Sequence, residues 1–144
     1  MPKYNEHVDV YHEWSASSTP YRAIESYTFT EVIGPVRDLD ILDLACGEGR
    51  ISRMLIERGA KSVLGGDISP EMVRRAAEQN AAGNGTSRYP NLRFMVLDAR
   101  DESFRLPEPV DLVVAMYLLH YAPTEEDLEK MGRLIERNLK PGGR

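Results

Sequence analysis

Apolar and polar positions alternate along the chain in two distinct rhythms. Short, nearly unbroken apolar runs read as buried parallel strands: Ile41 to Ala45, Val63 to Asp67, Leu92 to Leu97 and Val110 to Met116. Between them apolar residues recur at helical spacing. Ile51, Met54 and Leu55 follow the first run; Val73, Ala76 and Ala77 supply the inner face of a second helix; Leu128, Met131, Ile135 and Leu139 mark a last one. Ser69 with Pro70, and Thr124 after Pro123, are start signals for the second and last of these. Pro20 opens an earlier, weakly periodic helix towards Val32, ended by Gly34-Pro35. This order predicts an α/β fold with a Rossmann-like, doubly wound parallel sheet.

Strand ends then become the place to look for chemistry, because open parallel sheets bind ligands beyond the carboxyl ends of their strands. The first run ends in Ala45-Cys46-Gly47-Glu48-Gly49-Arg50. Two glycines there permit a tight turn and close approach of a ligand to the backbone, with helix N–H groups behind them. Asp67 lies 20 residues after Gly47 at the end of the second run. A carboxylate at that place accepts hydrogen bonds from ribose hydroxyls. Asp98 ends the third run and suits an exocyclic amine such as adenine N6. Together the three describe a pocket for an adenosine-bearing ligand with little phosphate.

Composition narrows the partners. The 144 residues carry 18 basic and 23 acidic side chains, a net charge of −5, with no Lys/Arg block. That argues against a nucleic-acid partner. One cysteine, Cys46, and an N-terminus without an apolar core favour a cytoplasmic location. The longest apolar run, Leu112 to Leu119, falls far short of the roughly 20 residues of a membrane helix. His7, His12 and His120 are scattered, so no metal is expected. Cys46 sits inside the glycine turn, where packing explains it better than reactivity.

The segment Ile41-Leu42-Asp43-Leu44-Ala45-Cys46-Gly47-Glu48-Gly49 resembles the first motif of class I S-adenosylmethionine-dependent methyltransferases. Gly65-Gly66-Asp67-Ile68-Ser69-Pro70-Glu71-Met72 resembles the family's second-strand segment, Leu97-Asp98-Ala99 its third-strand end, and Leu139-Lys140-Pro141-Gly142-Gly143 the turn before its fifth strand. The resemblance implies S-adenosylmethionine as cofactor and S-adenosylhomocysteine as product. It further implies that Ala45, Gly47 and Gly49 line the methionine part, that Asp67 holds the ribose, that Ile68 and Met72 flank the adenine, and that Asp98 with Ala99 reads its edge. Asp43 would orient the amino group through water. Tyr11 to Arg22 resembles the family's cofactor-covering segment, so Tyr11, Tyr21 and Arg22 are expected at the methionine carboxylate, and Met116 completes the cofactor set.

Two departures qualify the resemblance. Ala45 stands where the family most often has glycine. The family fold also continues past the Pro-Gly-Gly turn, so this chain is expected to carry strands 1–4 of a seven-stranded sheet: a covering segment over 1–36 and an incomplete core over 37–144. The fourth strand would then be an apolar edge, which leaves a homodimer through that edge, an aggregation-prone chain, or one less stable than a longer parent as the expected outcomes. The acceptor side is expected in Met116 to Tyr121 and in Tyr11, Trp14 and Tyr21. His120 is the candidate base for a hydroxyl acceptor, whereas Tyr117, Leu118 and Leu119 read as core.

The expected function is methyl transfer to a small molecule by in-line displacement, needing neither metal nor covalent nucleophile. A nicotinamide-dependent oxidoreductase is a competing reading, opposed by Ser52 where a third glycine would fall. A nucleoside-binding fragment without turnover is another.

Overall fold

The structure is a computed structural model in which residues 19–81 and 86–144 are described, with side chains from Ala23 onward. Its elements are α1 (Thr19–Ile33), β1 (Asp40–Leu44), α2 (Arg50–Glu57), β2 (Ser62–Asp67), α3 (Pro70–Asn80), β3 (Leu92–Val96), β4 (Leu112–Val114), a 3-10 turn (Leu119–Tyr121) and α4 (Glu125–Asn138). The four strands form one sheet in the order β3-β2-β1-β4, and every pair is parallel. From β1 the chain steps outward to β2 and β3, then crosses back to place β4 on the other side of β1. The strand order reverses there, and a crevice opens at the carboxyl ends of β1 and β4.

β1 is buried on both faces, which is why its sequence is so apolar. Ile41 joins Ile33, Ile51, Leu55 and Val114 on one face, while Leu42 and Leu44 pack with Met131 and Leu134 of α4 on the other. Ile41, Leu42 and Leu44 are each at most 1% exposed. Each such side chain removed from water contributes about 1.5–3 kcal/mol.

Both later helices keep part of the expected inner face, with Ala76 in α3, Met131 and Ile135 in α4 and Leu139 just after it against the core, and add residues to it that the spacing does not predict. In α3 the buried residues are Met72, Ala76 and Asn80, and Ala77 is exposed. In α4 they are Met131, Leu134 and Asn138, and Leu128 is 44% exposed. Among the added residues is a buried asparagine near the end of each helix, which a polarity pattern assigns to the outside. Asn80 binds the loop before β3: its Oδ1 accepts from the Tyr89 N–H (3.1 Å) and its Nδ2 donates to the Leu92 carbonyl (3.2 Å). Asn138 likewise accepts from the Leu106 N–H (2.7 Å) and donates to the Leu134 carbonyl (2.8 Å). Each amide satisfies backbone groups that burial would otherwise leave unpaired.

β4 is shorter than the expected Val110 to Met116, and its outer edge is not bare. The Val110 N–H donates to the Asn138 carbonyl (2.8 Å), and the Lys140 N–H to the Val110 carbonyl (2.9 Å). Beyond them the Arg144 N–H donates to Asp111 (3.1 Å) and the Val113 N–H to the Arg144 carbonyl (2.9 Å). The chain after α4 thus covers the strand through Val113, and the expected association through an unpaired edge loses its basis there. Among the described residues no helix is long and apolar enough to cross a membrane.

Candidate functional site

β1 passes into α2 through a turn built almost wholly from left-handed backbone. Ala45 (φ 56°), Gly47 (φ 55°) and Gly49 (φ 76°) alternate there. Ala45 carries the conformational cost of a side chain in that region, which accounts for the preference for glycine at its position. The two glycines have different reasons for being glycine. A Cβ on Gly49 would lie 2.5 Å from the Phe94 ring and 3.2 Å from Ala76, so Gly49 admits close packing of the turn. A Cβ on Gly47 would meet nothing within 4 Å, so its bare backbone faces open space.

The Asp67 carboxylate fastens this turn to β2. One oxygen accepts from the Gly47 N–H (2.8 Å) and the other from the Ser69 N–H (2.9 Å). Burial raises the Asp67 pKa, and these two N–H groups oppose that rise. A carboxylate has about four acceptor positions, so about two remain for hydroxyl donors. Ser69 caps α3 by accepting from the Met72 N–H, which leaves Asp67 free of the capping role.

Beside the turn lies a narrow cleft of about 80 Å³, lined by Glu25, Asp43, Ala45, Cys46, Gly47, Glu48, Arg50, Ile51, Met116 and Tyr117. It occupies the crevice between the ends of β1 and β4. Asp43 forms its floor at 2% exposure, and its Oδ2 accepts from the Ser52 hydroxyl at 2.5 Å. Burial pushes the Asp43 carboxyl up to about 7; the Ser52 hydrogen bond opposes the rise and the Asp67 charge adds to it. Burial also raises the Cys46 thiol well above the ordinary range, in keeping with a packed, unreactive side chain.

The structure brings together Ala45, Gly47, Asp67 and Met116, and separates some of the other expected site residues. Gly49 is buried under Phe94 and does not line the cleft, because its missing side chain serves packing. Met72 is 3% exposed and belongs to the interior, so only Ile68, at 41%, offers a free apolar face beside Asp67. Ala99 is buried at 6% behind the third strand end. Asp98 is not the open acceptor expected. Its carboxylate takes the Arg100 N–H (2.9 Å), Nε (2.9 Å) and Nη2 (2.7 Å), and the Arg100 side chain holds its pKa below the usual range. His120 is exposed and stacks against Tyr121 at 4.0 Å between ring centroids, outside the cleft lining. Tyr11 lies outside the described residues, as do the side chains of Tyr21 and Arg22.

Tyr117, which the sequence offers both to the acceptor side and to the core, is 51% exposed, with left-handed backbone (φ 60°) that turns the chain out at the cleft mouth. Of the three residues expected there as core, only Leu118 is buried. Glu25 and Arg50 form an ion pair across the cleft, and Arg50 Nη1 also donates to the Ser26 hydroxyl at 3.0 Å. No local pattern joins residues 24 to 25 positions apart; only docking of α1 does.

These residues fit S-adenosylmethionine: the main chain at Gly47 is open, Asp67 has unused acceptor capacity, and the cleft carries both signs of charge. Residues 41–143 match the methyltransferase domain family, and the chain belongs to that family. Trans-aconitate 2-methyltransferase of Streptomyces coelicolor is 34% identical over 121 residues, covering 80% of this chain and 37% of that protein. The mRNA cap guanine-N(7) methyltransferase of Caenorhabditis briggsae is 30% identical over 95 residues, covering 60% of this chain and 24% of that one. Among solved structures, the DhpI–SAH complex superposes with a TM-score of 0.69 at 26% identity over 92% of this chain and 59% of the other. The chain thus spans less than two thirds of each relative. The family places S-adenosylmethionine as the cofactor and excludes the nicotinamide reading, but its members act on both small and large acceptors.

Proposed function

We propose that this chain binds S-adenosylmethionine across the ends of β1 and β2 and passes its methyl group to a small-molecule acceptor. The observation that carries the reading is the joint built by Asp67, whose carboxylate ties the open backbone of Gly47 to the end of β2 while keeping acceptor positions for a ribose. The cofactor supplies an electrophilic methyl on a sulfonium. The chain's part is alignment and exclusion of water. Gly47 lets the ligand lie against the main chain, Met116 and Tyr117 wall the cleft on the β4 side, and Asp43 sets the charge of its floor. His120 adjoins the cleft through Tyr117, edge to face at 6.3 Å between ring centroids, and an acceptor would enter on that side. The acidic balance of the chain and the narrow cleft favour a small acceptor over a polynucleotide.

Calorimetric titration with S-adenosylhomocysteine, run beside NADH, tests the pocket. Binding of the homocysteine compound alone is expected. An Asp67→Asn variant loses one of the two oxygens that accept from the Gly47 and Ser69 N–H groups and from a ribose, and is expected to bind about tenfold or more weakly, a loss of ~1.4 kcal/mol, with a urea midpoint measured beside it to report the integrity of the turn. Equal binding by the variant would remove Asp67 from the site. Binding without methyl transfer to any acceptor would favour a nucleoside-binding role.

A further inference from the structure

α1 is held differently along its length. Its C-terminal end is fixed: Ile33 is buried, Phe29 packs on the core, Arg58 Nη2 donates to the Gly34 carbonyl (3.2 Å), and Arg144 donates to the carbonyls of Ile33 (2.5 Å) and Pro35 (2.9 Å). Ile24, Tyr27 and Val32 are exposed along its outer face, and near its middle the helix is gripped by Arg50 through Glu25 and Ser26. The grip sits in the cleft itself. Among the described lining residues the acids are Glu25, Asp43 and Glu48, and the one cation is Arg50. Asp43 is sealed beneath the Ser52 hydroxyl, and Glu48 faces Arg75 at 3.7 Å. Asp67, on the β2 side, is not part of this lining, and its remaining acceptor positions face the ribose site proposed above.

We infer that Glu25 and Arg50 are the receptors for the amino-acid end of the cofactor, Glu25 for its ammonium and Arg50 for its carboxylate. The inference rests on the reading above that this cleft takes S-adenosylmethionine. A zwitterion entering the cleft replaces one ion pair with two. The ligand carboxylate offers two oxygens to the guanidinium fork, which now spans Glu25 and the Ser26 hydroxyl. Arg50 is 33% exposed on its side chain, so its guanidinium is open to a ligand carboxylate, while Glu25 at 10% stays enclosed beside it. With its C-terminal end fixed, α1 can move outward at Glu25 to admit the ligand and close again on the ammonium. Binding of the cofactor's amino-acid end and closure of α1 then become one event.

The test compares two ligands that share the nucleoside and the thioether. S-adenosylhomocysteine has the amino-acid end, and 5′-methylthioadenosine lacks it. Both are titrated calorimetrically into the full chain, into Glu25→Gln and into Arg50→Gln. The unaltered chain is expected to prefer S-adenosylhomocysteine. Each variant should lose about tenfold of that preference while binding methylthioadenosine as before, which also reports that the variant is folded. Unchanged preference in both variants would overturn the inference. Equal weakening of both ligands would also overturn it, by assigning the pair to holding α1 in place. If the unaltered chain binds neither ligand, the proposed function itself fails.

Discussion

The two ends of β1 carry carboxylates in opposite circumstances. At the N-terminal end Asp40 accepts from Ser62 (2.6 Å) and Lys61 (2.9 Å), Lys140 reaches Asp111 (2.8 Å), and the Asp40 N–H donates to the Asp111 carboxylate (2.8 Å). These hydrogen bonds and lysine charges hold both carboxyls below their ordinary range. Across the C-terminal end Asp43 and Asp67 are raised by burial, with backbone N–H groups and a hydroxyl as partners instead of a lysine. One end is a solvated network that any acid and base could form. The other confines charge against strained backbone at the mouth of a cleft. Perturbed acids in a crevice are a mark of function, while paired surface charges are usually a solvated face.

Substitutions at the two ends should therefore differ in size. The largest loss is expected for Gly49→Ala: the new methyl meets Phe94 at 2.5 Å on left-handed backbone, and urea denaturation should show about 2–4 kcal/mol less stability. Next comes a pH effect from Asp43. Its pKa rises from 3.8 to about 7 on folding, so the folded chain holds a proton that the unfolded chain releases between about pH 4 and 7. Stability linked to that proton is complete below the lower value and lost as pH rises through the upper one. The urea midpoint should fall from pH 5 to pH 8, and Asp43→Asn should flatten the fall. A slope unchanged in the variant would mean that Asp43 is not the group responsible. Ala45→Gly should act the other way, relieving the left-handed alanine and raising stability by about 1 kcal/mol. At the N-terminal end Lys61→Ala removes an exposed ion pair, and its small shift of the midpoint should vanish at high salt. If that change exceeded the one at Gly49, the contrast between the two ends would be overturned.

Part of the site was legible because local chemistry fixes it. A run such as Ile41 to Leu44 has no polar surface to offer on either face except at Asp43, so burial in a parallel sheet follows. The glycine turn and the carboxylate ending β2 could be read for the same reason: left-handed backbone after a strand favours glycine, and the second apolar run stops at Asp67. The polarity pattern misses Asn80 and Asn138 on the inner faces of α3 and α4, because they are buried to serve carbonyls and N–H groups of loops outside the helix window. Asp98 was read as open, although Arg100, two residues on, closes around it.

By itself the sequence determined four parallel strands, the helices between them, the glycine turn and the carboxylate facing it. These depend on hydrophobic period, turn conformation and short spacing along the chain. Only the tertiary structure decided which glycine faces open space and which meets Phe94, that the edge of β4 is covered as far as Val113, and that Glu25 meets Arg50 across the cleft. Each of those outcomes depends on how separate elements pack against one another, and that geometry is absent from any local window of the sequence.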